Sequence, residues 1–136
     1  MAKKKIAFRY KNVMLIDDNE LDNFINQKII AAHHFAENTY TATNGQSAID
    51  FLRNLPVMGR EFYPEVIFID LNMPLMDGYQ FLEYCRSEAA IKDNNIKLVV
   101  LTSSVNDDDR KKVTSRMKEV LFLNKPLTQE ILSKIG

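Results

Sequence analysis

Four short apolar runs constrain this chain more than any other feature: Val13–Ile16, Val66–Ile69, Leu98–Leu101 and Val120–Leu123. Each is four residues long and rich in Val, Ile, Leu or Phe. Unbroken apolarity means that both faces of a strand are covered, as in a parallel sheet flanked by helices. A fifth run, Thr39–Ala42, is more polar and suits an edge strand. Segments with helical spacing separate these runs. Leu21, Phe24, Ile25 and Ile29 share one face of the first helix, and Ala48, Ile49 and Leu52 share a face of the second, after the Asn44-Gly45 turn. Tyr79 and Leu82, with Cys85 or Arg86, belong to the third. The fourth begins near Asp107, Asp108 and Asp109 and continues into Arg110, Lys111 and Lys112, an order that suits the helix dipole. The fifth, after Pro126, is short, from Thr128 to Ile135. Strand and helix alternate five times, which gives an α/β fold with right-handed crossovers.

Length and charge narrow the function. A chain of 136 residues fits one domain, and we divide it into a basic leader (residues 1–10, with Lys3, Lys4, Lys5 and Arg9) and a single domain over residues 11–136. No output domain is expected after it. Lysine plus arginine and aspartate plus glutamate number 18 each, so the formal net charge is zero. That balance argues against a nucleic-acid or membrane-surface role. No apolar run approaches the roughly 20 residues that span a bilayer, and no signal peptide is legible. The lone Cys85 rules out an intrachain disulfide and fits a reducing, cytoplasmic setting. It reads as a packing thiol.

In open α/β sheets, chemistry collects at the carboxyl ends of strands. The residues that close the apolar runs are Asp17-Asp18, then Asp70, then Thr102-Ser103, then Asn124-Lys125-Pro126. If the first and third strands are neighbours, three carboxylates converge and repel one another. A hard divalent cation relieves that repulsion, and Mg²⁺ favours one or two carboxylates, waters and phosphate oxygens. Taken singly, each residue has a plainer reading: Asp18 or Asn19 as a helix cap, Thr102 as a turn former, Lys125 as a solvated lysine. Their order, each ending a different buried strand, makes them one site.

That order resembles the receiver domains of two-component response regulators, over about Lys11 to Ile135. The matching segments are VMLIDDNE (Val13–Glu20), NGQSAIDFL (Asn44–Leu52), VIFIDLNMPLMDG (Val66–Gly78), LVVLTSS (Leu98–Ser104) and FLNKP (Phe122–Pro126). The resemblance implies a flavodoxin-like (βα)5 fold, a doubly wound five-stranded parallel sheet in strand order 2-1-3-4-5. It makes Asp70 the phosphoryl acceptor. Asp18 binds Mg²⁺ (Mn²⁺ as a substitute) directly, Asp17 acts through water, and Asn72 offers its backbone carbonyl. Thr102 and Lys125 hold phosphoryl oxygens, Pro126 follows a cis bond, and Phe122 is the aromatic switch that turns inward with Thr102. The implied donor is a histidine kinase or a histidine phosphotransfer protein. The implied output is a protein target on the face of the fourth helix, last strand and fifth helix. The protein would be a monomer or weak dimer that catalyses only its own phosphorylation and dephosphorylation.

The chain departs from the pattern in three places. Lys118 to Leu121 lacks the usual Gly-Ala. Ser103 and Ser104 follow Thr102, where the family has a small residue and then a position that tunes dephosphorylation. The stretch from Leu55 to Tyr63 is long, and Met58-Gly59-Arg60 is expected to form an extended surface loop. Two other readings compete with this one. A haloacid-dehalogenase-like phosphatase needs a second Asp two residues after its nucleophile, where this chain has Asn72, and carries that nucleophile on its first strand. A pseudo-receiver usually lacks part of the acid pair, the acceptor or the lysine, all present here. The adjacent His33 and His34 suit a helix C-terminus better than a metal.

Overall fold

The computed structural model of the protein describes residues 7–71, 73, 76–92, 94–103, 107–116 and 120–135. Five parallel strands lie in the order β2-β1-β3-β4-β5: β1 Tyr10–Ile16, β2 Ala36–Ala42, β3 Val66–Ile69, β4 Lys97–Thr102 and β5 Leu121–Asn124. The helices are α1 Glu20–Ala32, α2 Gly45–Met58, α3 Gly78–Ser87, a single turn α4 Ala89–Lys92, α5 Asp107–Arg116 and α6 Gln129–Ser133. The expected fourth and fifth helices are thus α5 and α6. The polar β2 sits at an edge, as its composition requires, but it starts three residues earlier than the sequence pattern suggested, at Ala36. Those residues extend the ladder, with Ala36 opposite Tyr10 and Asn38 opposite Asn12.

Alternation along each strand feeds two cores. Met14, Ile16, Ile67, Ile69, Leu98, Val100 and Phe122 face α2, α3 and α5, where they meet Leu52, Phe81, Cys85 and Val113. Val13, Leu15, Val66, Phe68, Val99, Leu101 and Leu123 face α1 and α6, where they meet Ile30 and Leu132. This two-sided burial is why the strands read as unbroken apolar runs.

Two expectations are corrected. The face of α1 carrying Leu21, Phe24 and Ile25 points outward, with relative exposures of 65%, 56% and 45%. Its inward stripe is Asn23, Asn26 and Ile30. The cause is polar: Asn23 Nδ2 donates to the carbonyls of Asp17 (3.0 Å) and Ala42 (3.3 Å), at the ends of β1 and β2, so the buried stripe must supply donors. The second correction concerns the stretch after Leu55. It is helical rather than extended: α2 carries on past Pro56 to Met58, and a 3-10 turn spans Arg60–Phe62. Gly59, at φ +120°, ends α2 in a conformation that favours glycine, and its N–H donates to Leu55 O at 3.0 Å.

Candidate functional site

The carboxyl ends of β1, β2 and β3 lie in register, and that register builds the site. Ile16 is opposite both Ala42 and Ile69, so Asp17 and Asp70 follow neighbouring strand ends. Asp17 N donates to Ala42 O (3.0 Å) and Asp70 N to Ile16 O (2.9 Å). Asn19 caps α1 by accepting from Asp22 N at 3.0 Å, while its own N–H donates to Asp17 Oδ1 at 2.9 Å. The cap reading therefore holds for Asn19, and Asp18 is left for the site.

Carboxylate oxygens of Asp17, Asp18 and Asp70 all lie within 4.8 Å of one another. Asp17 and Asp70 are buried and Asp18 is exposed. Lys125 reaches across from the end of β5. Its Nζ lies 2.5 Å from Asp17 Oδ2, 3.0 Å from Asp22 Oδ2 and 3.3 Å from Asp70 Oδ2. Burial alone would lower the Lys125 pKa, but hydrogen bonds to Asp17 and Asp22 and the charge of Asp70 outweigh it and hold the ammonium above the ordinary lysine range. The lysine is fixed by its neighbours: Lys125 N donates to Thr102 O at 2.8 Å, and the Lys125-Pro126 peptide bond is cis, as the resemblance implied. The sequence pattern did not single out Asp22. As a first-turn helix acid it has an ordinary explanation, and only the fold brings it to Lys125.

Thr102 is fully buried at the end of β4, opposite Asn124. Phe122 is buried too, with the Arg110 guanidinium 5.2 Å from its ring centre. Elsewhere on α5, the Tyr79 hydroxyl donates to Asp109 Oδ1 at 2.5 Å and Lys112 Nζ lies 4.1 Å from the Tyr79 ring. Arg110 and Lys112, two of the bases of α5, are therefore engaged with aromatic rings. Asn72, Ser104 and Lys118, as well as Lys3, Lys4 and Lys5, lie outside the described residues.

Gly78 explains the Asp77-Gly78 pair. A Cβ there would stand 2.6 Å from both Asp70 O and Leu71 Cα, so only glycine lets α3 start against the Asp70-Leu71 backbone. Asp77 and Gln80 form a reciprocal capping box at the same point. A larger cavity, about 380 Å³, opens at the other end of the sheet between Asn12, Tyr63, Asn94 and Lys97. Among the described residues it gathers no comparable cluster of carboxylates.

Three acids and a lysine at the end of such a sheet can serve a carboxylate nucleophile. The response regulator receiver domain family matches residues 13–135. The chain belongs to that family. This receiver domain is 32% identical over 90% of its length to the sensor histidine kinase CheAY of Helicobacter pylori, of which it spans 14%. It is 28% identical over 73% of its length to the response regulator Rcp1 of Synechocystis, covering 66% of that protein. Among solved structures, a two-component response regulator from Cytophaga hutchinsonii superposes with a TM-score of 0.81 at 32% identity, over 91% of this chain and 92% of that one. A receiver protein from Dyadobacter fermentans follows at 0.77 and 27%, over 92% and 94%. The receiver domain is thus part of two-component signalling, on a flavodoxin-like fold. Among its described residues no helix is long and apolar enough to cross a membrane.

Proposed function

We propose that this receiver domain takes a phosphoryl group onto Asp70 from a phosphohistidine on a histidine kinase or histidine phosphotransfer protein, and then signals to a protein partner. The observation that carries this reading is the convergence of Asp17, Asp18 and Asp70 within 4.8 Å beside the Lys125 ammonium. An Asp70 oxygen attacks phosphorus, the P–N bond to the imidazole breaks, and the electron pair leaves with the ring nitrogen. Lys125 offsets charge on the transferring oxygens, and the buried site makes that charge worth more than it would be in water. Hard carboxylate oxygens suit Mg²⁺, or Mn²⁺ in its place, with Asp17, Asp18, Asp70 and the Asn72 carbonyl as its holders. When bound, the ion supplies charge neutralisation for phosphoryl transfer. The domain's only catalysis is of its own phosphorylation and dephosphorylation.

Thr102 and Phe122 would carry the switch. A Thr102 hydroxyl drawn to the phosphoryl group changes the space beside β5, and the Phe122 ring answers beneath Arg110. The partner would read the face of α5, β5 and α6. The phosphodonor would dock on the exposed apolar face of α1, which begins two residues after Asp18. We place the domain in the cytoplasm, as a monomer or weak dimer. Incubation with acetyl phosphate and Mg²⁺, read by intact mass, should add one phosphoryl group. EDTA and Asp70→Asn should each abolish it. Full modification of Asp70→Asn would overturn the assignment.

A further inference from the structure

Lys125 has one carboxylate partner more than the acid cluster supplies. Asp22 belongs to α1, stands apart from the group formed by Asp17, Asp18 and Asp70, and still lies 3.0 Å from the ammonium. From this geometry we propose that Asp22 is a positioning residue, which holds Lys125 toward α1 and yields it when a phosphoryl group arrives on Asp70. The proposal rests on the reading of Asp70 as acceptor.

An ammonium has three donors. In this structure three carboxylates are within reach of them: Asp17, Asp22 and Asp70. Phosphorylation turns the Asp70 carboxylate into an acyl phosphate, so the donor facing Asp70 passes to a phosphoryl oxygen, and a second donor reaches the phosphoryl group only if Asp17 or Asp22 gives way. The three are not equal. The Asp17 and Asp70 side chains are 6% and 10% exposed, whereas that of Asp22 is 38% exposed. A buried carboxylate stripped of its counter-charge is costly, while an exposed one is rehydrated. Asp22 is therefore the partner that yields. Until it does, it competes with the phosphoryl group for the lysine and adds a negative charge on the approach to Asp70. The handover also leaves Asp22 bearing an unpaired charge in the first turn of α1, one residue from Leu21 and two from Phe24. The face presented to a phosphodonor thus differs before and after transfer.

The test compares beryllofluoride affinity, with Mg²⁺ present, and the rate of labelling by acetyl phosphate. Asp22→Asn keeps the shape and removes the charge. It should bind beryllofluoride about five-fold more tightly and label correspondingly faster, while Asp22→Glu should stay near wild type. Because Asp22 is partly exposed, the gain should shrink toward 1 M salt, where the Debye length is about 3 Å. The Lys125 ammonium resonance in ¹⁵N-detected NMR should move on Asp22→Asn before any ligand is added. Glu20→Gln removes a charge from the same helical turn without touching Lys125, and should change affinity less than two-fold. Equal gains from Glu20→Gln and Asp22→Asn, or no gain from Asp22→Asn in a background where wild type binds, would overturn the role of Asp22. A wild-type protein that bound no beryllofluoride would overturn the acceptor reading first, and this proposal with it.

Discussion

Gly78 shows how narrowly the Asp70 backbone is held. Its absent side chain is what allows the start of α3 to lie against the backbone of Asp70 and Leu71. Backbone cannot swing aside as a side-chain tip can, so Gly78→Ala should cost about 1–3 kcal/mol of stability, as other overpacked positions do. Because the strain falls on the Asp70 carbonyl, labelling by acetyl phosphate should slow as well. Urea unfolding and intact-mass kinetics on one preparation check both, and a variant with wild-type stability and rate would show that α3 can retreat. The acids, Thr102 and Lys125 were legible in the sequence because each ends an apolar run, and strand ends are where chemistry gathers. Asp22 was not. Nothing local distinguishes a first-turn acid that favours the helix dipole from one that reaches a lysine 103 residues away.

In α1 the apolar period was visible but its direction was not. Leu21, Phe24 and Ile25 form a convincing inward stripe until the carbonyls of Asp17 and Ala42 are considered. These need donors, and Asn23 provides them, turning the apolar stripe to solvent. Helical periodicity locates a face; it does not say which element will cover it. The same blindness affected α2, which runs past Pro56 to Met58 where the sequence suggests the start of a surface loop. β2 was shortened for a related reason, since Glu37 and Asn38 lack strand character and are strand only because β1 pairs with them. If the outward stripe of α1 receives the phosphodonor, Phe24→Glu should leave stability within about 0.5 kcal/mol, because an exposed position away from caps and core is tolerant. Labelling by acetyl phosphate, which needs no docking face, should be unchanged. Transfer from a phosphohistidine protein should fall at least ten-fold. Equal transfer from the protein donor would remove α1 from the docking surface.

The sheet as a whole determines how the thiol and the site respond to solution conditions. Cys85 is buried between α3 and the sheet, and burial, reinforced by the charge of Glu88, pushes its thiol above the ordinary value of 9.0. A raised folded-state pKa contributes stability in full below that ordinary value and loses it progressively as pH rises further. The thiol should therefore react with iodoacetamide only as fast as the protein opens. Raising the pH beyond about 9 should lower the unfolding midpoint of wild type more than that of Cys85→Ala. Fast labelling at pH 8 in native buffer would contradict the packing. The topology has another effect, on the order of assembly. β1 lies inside the sheet and pairs with β3 across more than fifty residues (Val13 with Val66), and β5 is the last of the five strands along the chain. During synthesis the acids of β1 and β3 leave the ribosome well before Lys125, which follows β5. A nascent receiver thus gathers its negative charges first and obtains their counter-ion only when the final strand docks. If Asp70 takes a phosphoryl group, competence to do so would then wait for the docking of β5.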